Sequence, residues 1–383
     1  MLTHPKSAIR RLAKMIGLIA LALPVVSLLG AGLFIYLSPE FGGRATADER
    51  RAYARANNYE DEEFVNQVPT SLDMDFRTLV SLVRDYVRGV PNGVPSAPPP
   101  VVPLDSATVA GASDTLTRIT WFGHSAVLLE IDGQRVLLDP MLGDVPAPHP
   151  WLGQRRFSER LPISIAQLPT IDAVLISHDH YDHLDYGSIR QLMDKVSDFY
   201  VPLGVGAHLR RWGVADAAIH ELNWGDEVQY AGLRFVFTPA RHFSGRGLTN
   251  RNTTLWGSWV IRGSRETLYF SGDGGYGPHF AEIGERYGPF DLAMLECGQY
   301  DARWAQIHMM PEETVQATLD LRARRMLPIH WGAFRLALHA WTDPVERVTV
   351  RARELGVPLV TPRIGEPVIV TSERFPATAW WRN

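Results

Sequence analysis

At 383 residues the chain exceeds a typical single domain and is long enough to bury a large core. Hydrophobic residues make up 45% and charged residues 21%, ordinary for a globular protein; a net charge of −4 carries no footprint for nucleic acid, so no nucleic-acid partner is expected. One cysteine excludes an intramolecular disulfide framework.

In chain order, the first informative stretch is Met15 to Leu37, 23 residues without a charge, preceded by Lys6, Arg10, Arg11 and Lys14. That length spans a bilayer, and the basic flank over residues 1–14 is expected to stay in the cytoplasm. The reading is a single-pass transmembrane anchor over 15–37 with the domain that follows it on the extracytoplasmic side. A cleaved signal peptide is the competing reading, but the run exceeds the usual 7–15-residue apolar region. A buried core helix fits poorly with the basic flank. Residues 38–114 read as stalk, arm and linker. Asp48 to Glu63 is charged and reads as a helical or flexible solvated stalk, and 89–105 is punctuated by Gly89, Pro91, Gly93, Pro95 and Pro98-Pro99-Pro100. A folded domain is expected over 115–383.

Within that domain Val127–Ile131 and Arg135–Leu138 flank Asp132-Gly133, a hairpin signal. Asp139 follows the second strand, where a carboxylate can hydrogen-bond a metal-bound imidazole. His124 follows another strand-like run and reads as structural or supporting rather than as a ligand. The apolar run 171–176 then ends in Ser177-His178-Asp179-His180-Tyr181-Asp182-His183. Imidazole and carboxylate hold zinc and similar metals, and a buried strand ending in such a cluster delivers several ligands to one point. A solvated histidine-rich loop is the ordinary alternative, which the four-ligand pattern His-x-His-x-Asp-His makes hard to reach by chance.

The arrangement recurs three times. Strand-like 233–237 precedes His242, 267–270 precedes Asp273, and 326–329 precedes His330. Open α/β sheets gather their chemistry at that edge. Ile189–Val196, Pro311–Ala323 and Pro344–Leu355 read as helices, the last stopped by Gly356 and Pro358; Gly257–Ile261 and Thr267–Phe270 read as a hairpin around Gly263. His308, just before the Pro311 helix, reads either as a proton donor or phosphate binder or as an ordinary surface histidine. His4, His149, His208, His220, His279 and His339 lack ligand context and read as structural or solvated. Trp256, Trp259, Trp304, Trp331 and Trp341 read as an apolar pocket or as core, core for most.

The ordered set His178, His180, Asp182, His183, His242, Asp273 and His330 resembles the metallo-β-lactamase superfamily, and within it the N-acylphosphatidylethanolamine-hydrolysing phospholipase D group. Trp121-Phe122-Gly123-His124-Ser125, Leu138-Asp139-Pro140, Leu255-Trp256-Gly257-Ser258-Trp259, Phe270-Ser271-Gly272-Asp273, Tyr300 to Trp304, Pro311-Glu312-Glu313 and Ile329-His330-Trp331-Gly332 carry the likeness over roughly 60–370. It departs at Glu296-Cys297-Gly298, where a more apolar stretch is expected. The resemblance implies an α/β fold, the αβ/βα sandwich, here with an N-terminal transmembrane helix. It also implies two Zn2+ ions, other divalent transition metals being possible: His178, His180 and His242 on the first, Asp182, His183 and His330 on the second, Asp273 bridging. The expected reaction is attack of a metal-bridging hydroxide on the phosphorus of a phospholipid diester, with Asp182, Asp273 and His308 as catalytic residues. A lactonase or other ester hydrolase on the same centre is the alternative. A non-catalytic metal-binding membrane protein is a third reading, against which the complete ligand set argues. A true metallo-β-lactamase often places a cysteine on the second metal, and Cys297 does not stand at such a position.

Overall fold

The computed structural model describes residues 5–71, 75–111 and 115–382, so His4 lies outside the described residues. The chain divides into two compact units, Met1–Phe41 and Gly42–Asn383. In the first unit a helix runs from Pro5 to Leu37. Its stretch Lys14–Leu37, 24 residues, is long and apolar enough to cross a membrane.

The second unit is a two-sheet sandwich with helices outside. A helix, Ala47–Tyr53, comes first, followed by a hairpin of two short strands, β1 (Tyr59–Glu60) and β2 (Glu63–Phe64). One sheet takes β3 (Arg118–Trp121), β4 (Val127–Ile131), β5 (Gln134–Leu138), β6 (Ile171–Leu175), β7 (Val196–Pro202) and β8 (Ile219–Leu222). The other takes β9 (Glu227–Tyr230), β10 (Leu233–Thr238), β11 (Ser258–Arg262), β12 (Thr267–Phe270), β13 (Leu292–Glu296) and β14 (Met326–Ile329). A final strand, β15 (Pro367–Ile369), returns to pair antiparallel with β3. Each sheet begins antiparallel and turns parallel, at β5–β6 in the first and at β12–β13 in the second. The turn between β4 and β5 places Asp132 at φ 47° and Gly133 at φ 76°, the two positive values that a tight hairpin needs and glycine supplies cheaply.

Alternation along the strands feeds two cores. Leu129, Val136 and Leu175 of the first sheet join Phe237, Trp259 and Leu268 of the second in the larger core. Leu128, Leu137 and Val174 face the other way, onto Ile189 and Leu192 of the helix Tyr186–Leu192 and onto Leu209 and Trp212 of the helix Gly206–Trp212. The first of those helices starts before the predicted Ile189 because Asp185 accepts from the Ser188 N–H at 2.7 Å, and it ends before Val196, which opens β7. The other two predicted helices are Pro311–Asp320 and Asp343–Leu355, the latter closed by Gly356 at φ 70°.

Residues 42–111, read from sequence as stalk and linker, lie in the same compact unit as the sandwich. The charged run also carries Tyr53 and Tyr59, and Phe64 follows it directly; their rings cluster at 4.8–6.0 Å between centroids. Tyr53 and Phe64 join the larger core. The Phe64 N–H bonds to the Asn252 carbonyl at 2.8 Å, and the proline-rich arm is pinned where the Val102 N–H reaches the Ile364 carbonyl at 2.8 Å. The helix Phe76–Arg88 leaves Phe76, Val80, Val83 and Val87 exposed.

Candidate metal centre

The candidate ligands meet because their strands share one direction. β3, β5 and β6 run the same way, and His124, Asp139 and the His178–His183 loop follow them. β10, β12, β13 and β14 likewise run together, followed by His242, Asp273 and His330, with Glu296 closing β13. Loops leaving parallel strand ends emerge on one edge. Three of these residues, His124, Asp139 and His330, hold positive φ values of 56°, 40° and 64°. Such backbone persists in non-glycine residues only where the surroundings impose it, typically at functional sites.

The inward atoms converge. Nε2 of His178 lies 2.9 Å from Nδ1 of His180, which lies 3.3 Å from Nε2 of His242. Nε2 of His183 is 3.6 Å from Oδ2 of Asp182 and 3.0 Å from Oδ2 of Asp273. Asp273 also stands 3.9 Å from Nε2 of His178 and 3.1 Å from Nδ1 of His330, between the two groups. Donor atoms 2.0–2.1 Å from a tetrahedral ion sit about 3.3 Å apart, so these separations suit ligands around a metal. Nε2 of His183 and Oδ1 of Asp273 are buried without a hydrogen-bond partner, which a cation between them resolves.

The outer atoms fix which nitrogen faces in. Asp139 accepts from Nδ1–H of His183 at 2.7 Å, from the Ser177 N–H at 2.7 Å and from the Ser177 hydroxyl at 2.5 Å. With its proton given to Asp139, the Ser177 oxygen accepts from Nδ1–H of His178, 2.9 Å away. Nδ1–H of His242 donates to the Ile307 carbonyl at 2.8 Å. In all three rings Nε2 is therefore left as a lone-pair donor toward the centre. Burial, reinforced by neighbouring imidazoles, holds His178, His242 and His330 well below the usual histidine value, so they are neutral and able to ligate. Burial also works against the charged form of His183, but Asp273, Asp182 and Asp139 together raise it well above that value. A metal there displaces a proton.

Sequence reasoning placed Asp139 and His124 near the centre, and the structure gives both a partner. His124 bonds through Nε2 to Oδ2 of Asp182 at 2.9 Å and lies 4.1 Å from the His330 ring. His308 is brought in too, its ring 5.3 Å from that of His330 and its Nδ1 3.1 Å from Oε2 of Glu296. Glu296 resolves its own departure from the family pattern: Oε1 accepts from the Gly274 and Met309 N–H groups at 3.1 and 3.0 Å. Sequence reasoning missed Ser177, the Ile307 carbonyl and Ser125, whose hydroxyl lies 3.0 Å from Nδ1 of His330; hydroxyl and carbonyl partners carry no pattern of their own. The remaining histidines stay outside. His208 bonds to Asp179, His220 to Asp198 and His339 to the Gln299 N–H; His149 stacks on Trp151 and His279 lies against Phe280.

A cavity of about 300 Å³ opens over the centre, lined by His180, Asp182, Asp273, His308, Trp304 and Leu336. A second, largely apolar groove of about 340 Å³ runs beside the helix Phe76–Arg88, and Trp304 and Leu336 line both. Of the tryptophans singled out by sequence, Trp256, Trp259 and Trp331 are fully buried in the core, and Trp304 lines the cavity.

A family model described as a beta-lactamase superfamily domain matches residues 134–331. An uncharacterised protein of Mycobacterium tuberculosis is 43% identical over 350 residues, covering 90% of this chain and 92% of that one. An N-acyl-phosphatidylethanolamine-hydrolyzing phospholipase D of Caenorhabditis elegans is 35% identical over 227 residues, 56% of this chain and 64% of that protein. Among solved structures, an isothiocyanate hydrolase from Delia radicum gut bacteria shares the fold, with a TM-score of 0.53 at 21% identity over 66% of this chain and 98% of that one.

Proposed function

The chain belongs to the β-lactamase superfamily and is a metallohydrolase, and from that membership we propose that it is a membrane-anchored, binuclear zinc phosphodiesterase of the phospholipase D type. Its substrate in this reading is a phospholipid such as N-acylphosphatidylethanolamine. The carrying observation is that the cavity over the candidate ligands and the apolar groove share Trp304 and Leu336, which offers a phosphodiester and an alkyl chain adjacent places. The Caenorhabditis elegans relative supports the same substrate class.

In this reading His178, His180 and His242 would hold one ion and Asp182, His183 and His330 the other, with Asp273 lying between the two groups. Two such ions, when bound, would supply Lewis acidity and a nucleophile from water near neutral pH. Asp273, set between the two groups of candidate ligands, would position the attacking water. His124 and Asp139 hold Asp182 and His183 in place. Burial opposes the charged form of His308, yet the Glu296 carboxylate, with Asp273 and Asp182 behind it, holds it above the ordinary histidine value. A protonated His308 facing the cavity donates its proton to the departing alcohol oxygen as the P–O bond breaks. The apolar stretch Lys14–Leu37 would keep the enzyme at the membrane where its substrate lies.

The test is incubation of the full chain with N-acylphosphatidylethanolamine in mixed micelles, beside a lactone panel, with and without chelator. Chelator-sensitive release of phosphatidic acid is expected. Lactone opening without lipid turnover would overturn the phosphodiester reading in favour of an ester hydrolase on the same centre.

A further inference from the structure

His242 stands four residues past the end of β10, in a segment without regular secondary structure. Among the described residues, neither its N–H nor its carbonyl bonds to another backbone group. His330, by contrast, is tied by its N–H to the His124 carbonyl at 2.9 Å, and His183 by its N–H to the His180 carbonyl at 3.1 Å. What holds the His242 backbone is a side chain 176 positions away. The Asn66 Oδ1 accepts from the His242 N–H at 3.1 Å and its Nδ2 donates to the His242 carbonyl at 2.8 Å. A carboxamide presents one donor and one acceptor in a plane, as a peptide group does, so this pair stands in for a missing β-ladder rung.

Asn66 is itself fixed. Trp256 donates from Nε1 to the same Oδ1 at 3.2 Å and to the Ala240 carbonyl at 3.1 Å. Further along, the Arg241 guanidinium reaches Oγ1 of Thr70 and the carbonyl of Pro69, both at 3.0 Å. Residues 66–71 thus form a strap along the loop that carries His242, and they lie outside the matched segment 134–331. With the ring's Nδ1 fixed by Ile307, the strap fixes the backbone, and together they determine where Nε2 points.

We propose that Asn66 is a positioning residue for the first metal site, holding His242 at the orientation in which its Nε2 ligates. The inference rests on His242 being a ligand of that site. Aspartate at this position keeps the acceptor and loses the donor; alanine loses both.

The experiment uses the full chain in detergent, stripped of metal and titrated with Co2+ against a competing chelator, with absorbance reporting each equivalent. Asn66→Ala and Asn66→Asp are expected to weaken one of the two equivalents by roughly 10–100-fold, as loss of an orienting partner does, and to spare the other. Asn58→Ala is the control. It removes the Nδ2 bond to Asn223 at 2.9 Å and so loosens the same region without touching His242. Its metal affinities should match wild type whatever its Tm. Wild-type affinities in both Asn66 variants, or equal losses at both equivalents in step with Tm, would overturn the proposal. His242→Ala separates the two levels. If it keeps both equivalents, the ligand assignment itself fails; if it loses one while the Asn66 variants lose nothing, only the positioning role fails.

Discussion

Asp139→Asn changes one atom at a place where the electrostatics allow little substitution. The backbone tolerates the exchange, because φ at this position is 40° and asparagine adopts such values as readily as aspartate. The side chain does not. Asp139 accepts three hydrogen bonds, and an amide oxygen can keep the one from the Ser177 N–H while the new NH2 faces the Ser177 hydroxyl and Nδ1 of His183. The hydroxyl can rotate; the imidazole can only shift its proton from Nδ1 to Nε2, which removes the lone pair facing the centre. A bond to a charged group contributes about 1.5–3 kcal/mol, so forfeiting the His183 bond together with its tautomer amounts to about 3 kcal/mol, or roughly 100-fold in affinity. Isothermal titration of the metal-free protein with Zn2+ measures this directly. Two equivalents bound with wild-type affinity by Asp139→Asn would refute both the tautomer argument and the place of His183 among the ligands.

Asp273→Ala should abolish turnover and weaken metal binding, read from activity and bound-metal content together. If His308 serves the leaving group rather than the ions, His308→Gln should lower kcat by about 10²–10⁴ while metal content stays at the wild-type level. Leu336→Arg, at the junction of cavity and groove, should depress turnover of dispersed long-chain lipid far more than that of a small soluble phosphodiester; equal losses would count against the acyl groove. Finally, the protein should stay with membranes through a carbonate wash, and quantitative release would remove the anchor from the reading.

The strands that end in ligands were legible because each is an apolar run stopped by a polar residue. β10, β12 and β14 all read this way, and their shared direction explains why His242, Asp273 and His330 meet. β13 was not legible. It is buried along its whole length between two parallel neighbours, so it shows no alternation, and a short apolar run does not distinguish strand from helix. The segment around Asp48–Glu63 shows the opposite difficulty. Its charges imply a solvated stalk, while Tyr53 among them and Phe64 directly after them bury themselves in the core. Asn66 was beyond sequence reasoning altogether, for a side chain bonding to a distant backbone leaves no periodicity and no motif. Glu296 appeared as an anomaly in sequence and became intelligible only when its partners Gly274, Met309 and His308 were in view.

The centre is divided between the two sheets. The loop 178–183 follows a strand of the first, whereas His242, Asp273 and His330 follow strands of the second. Neither half alone offers a complete coordination set, so a chain whose sheets have not yet docked has little with which to retain an ion. On the proposed reading, metal capture would act as a clasp that needs both sheets docked and would report the quality of assembly. Substitutions in the shared core, at Leu129 or Trp259 for instance, would surface first as metal leakage, before any loss of secondary structure.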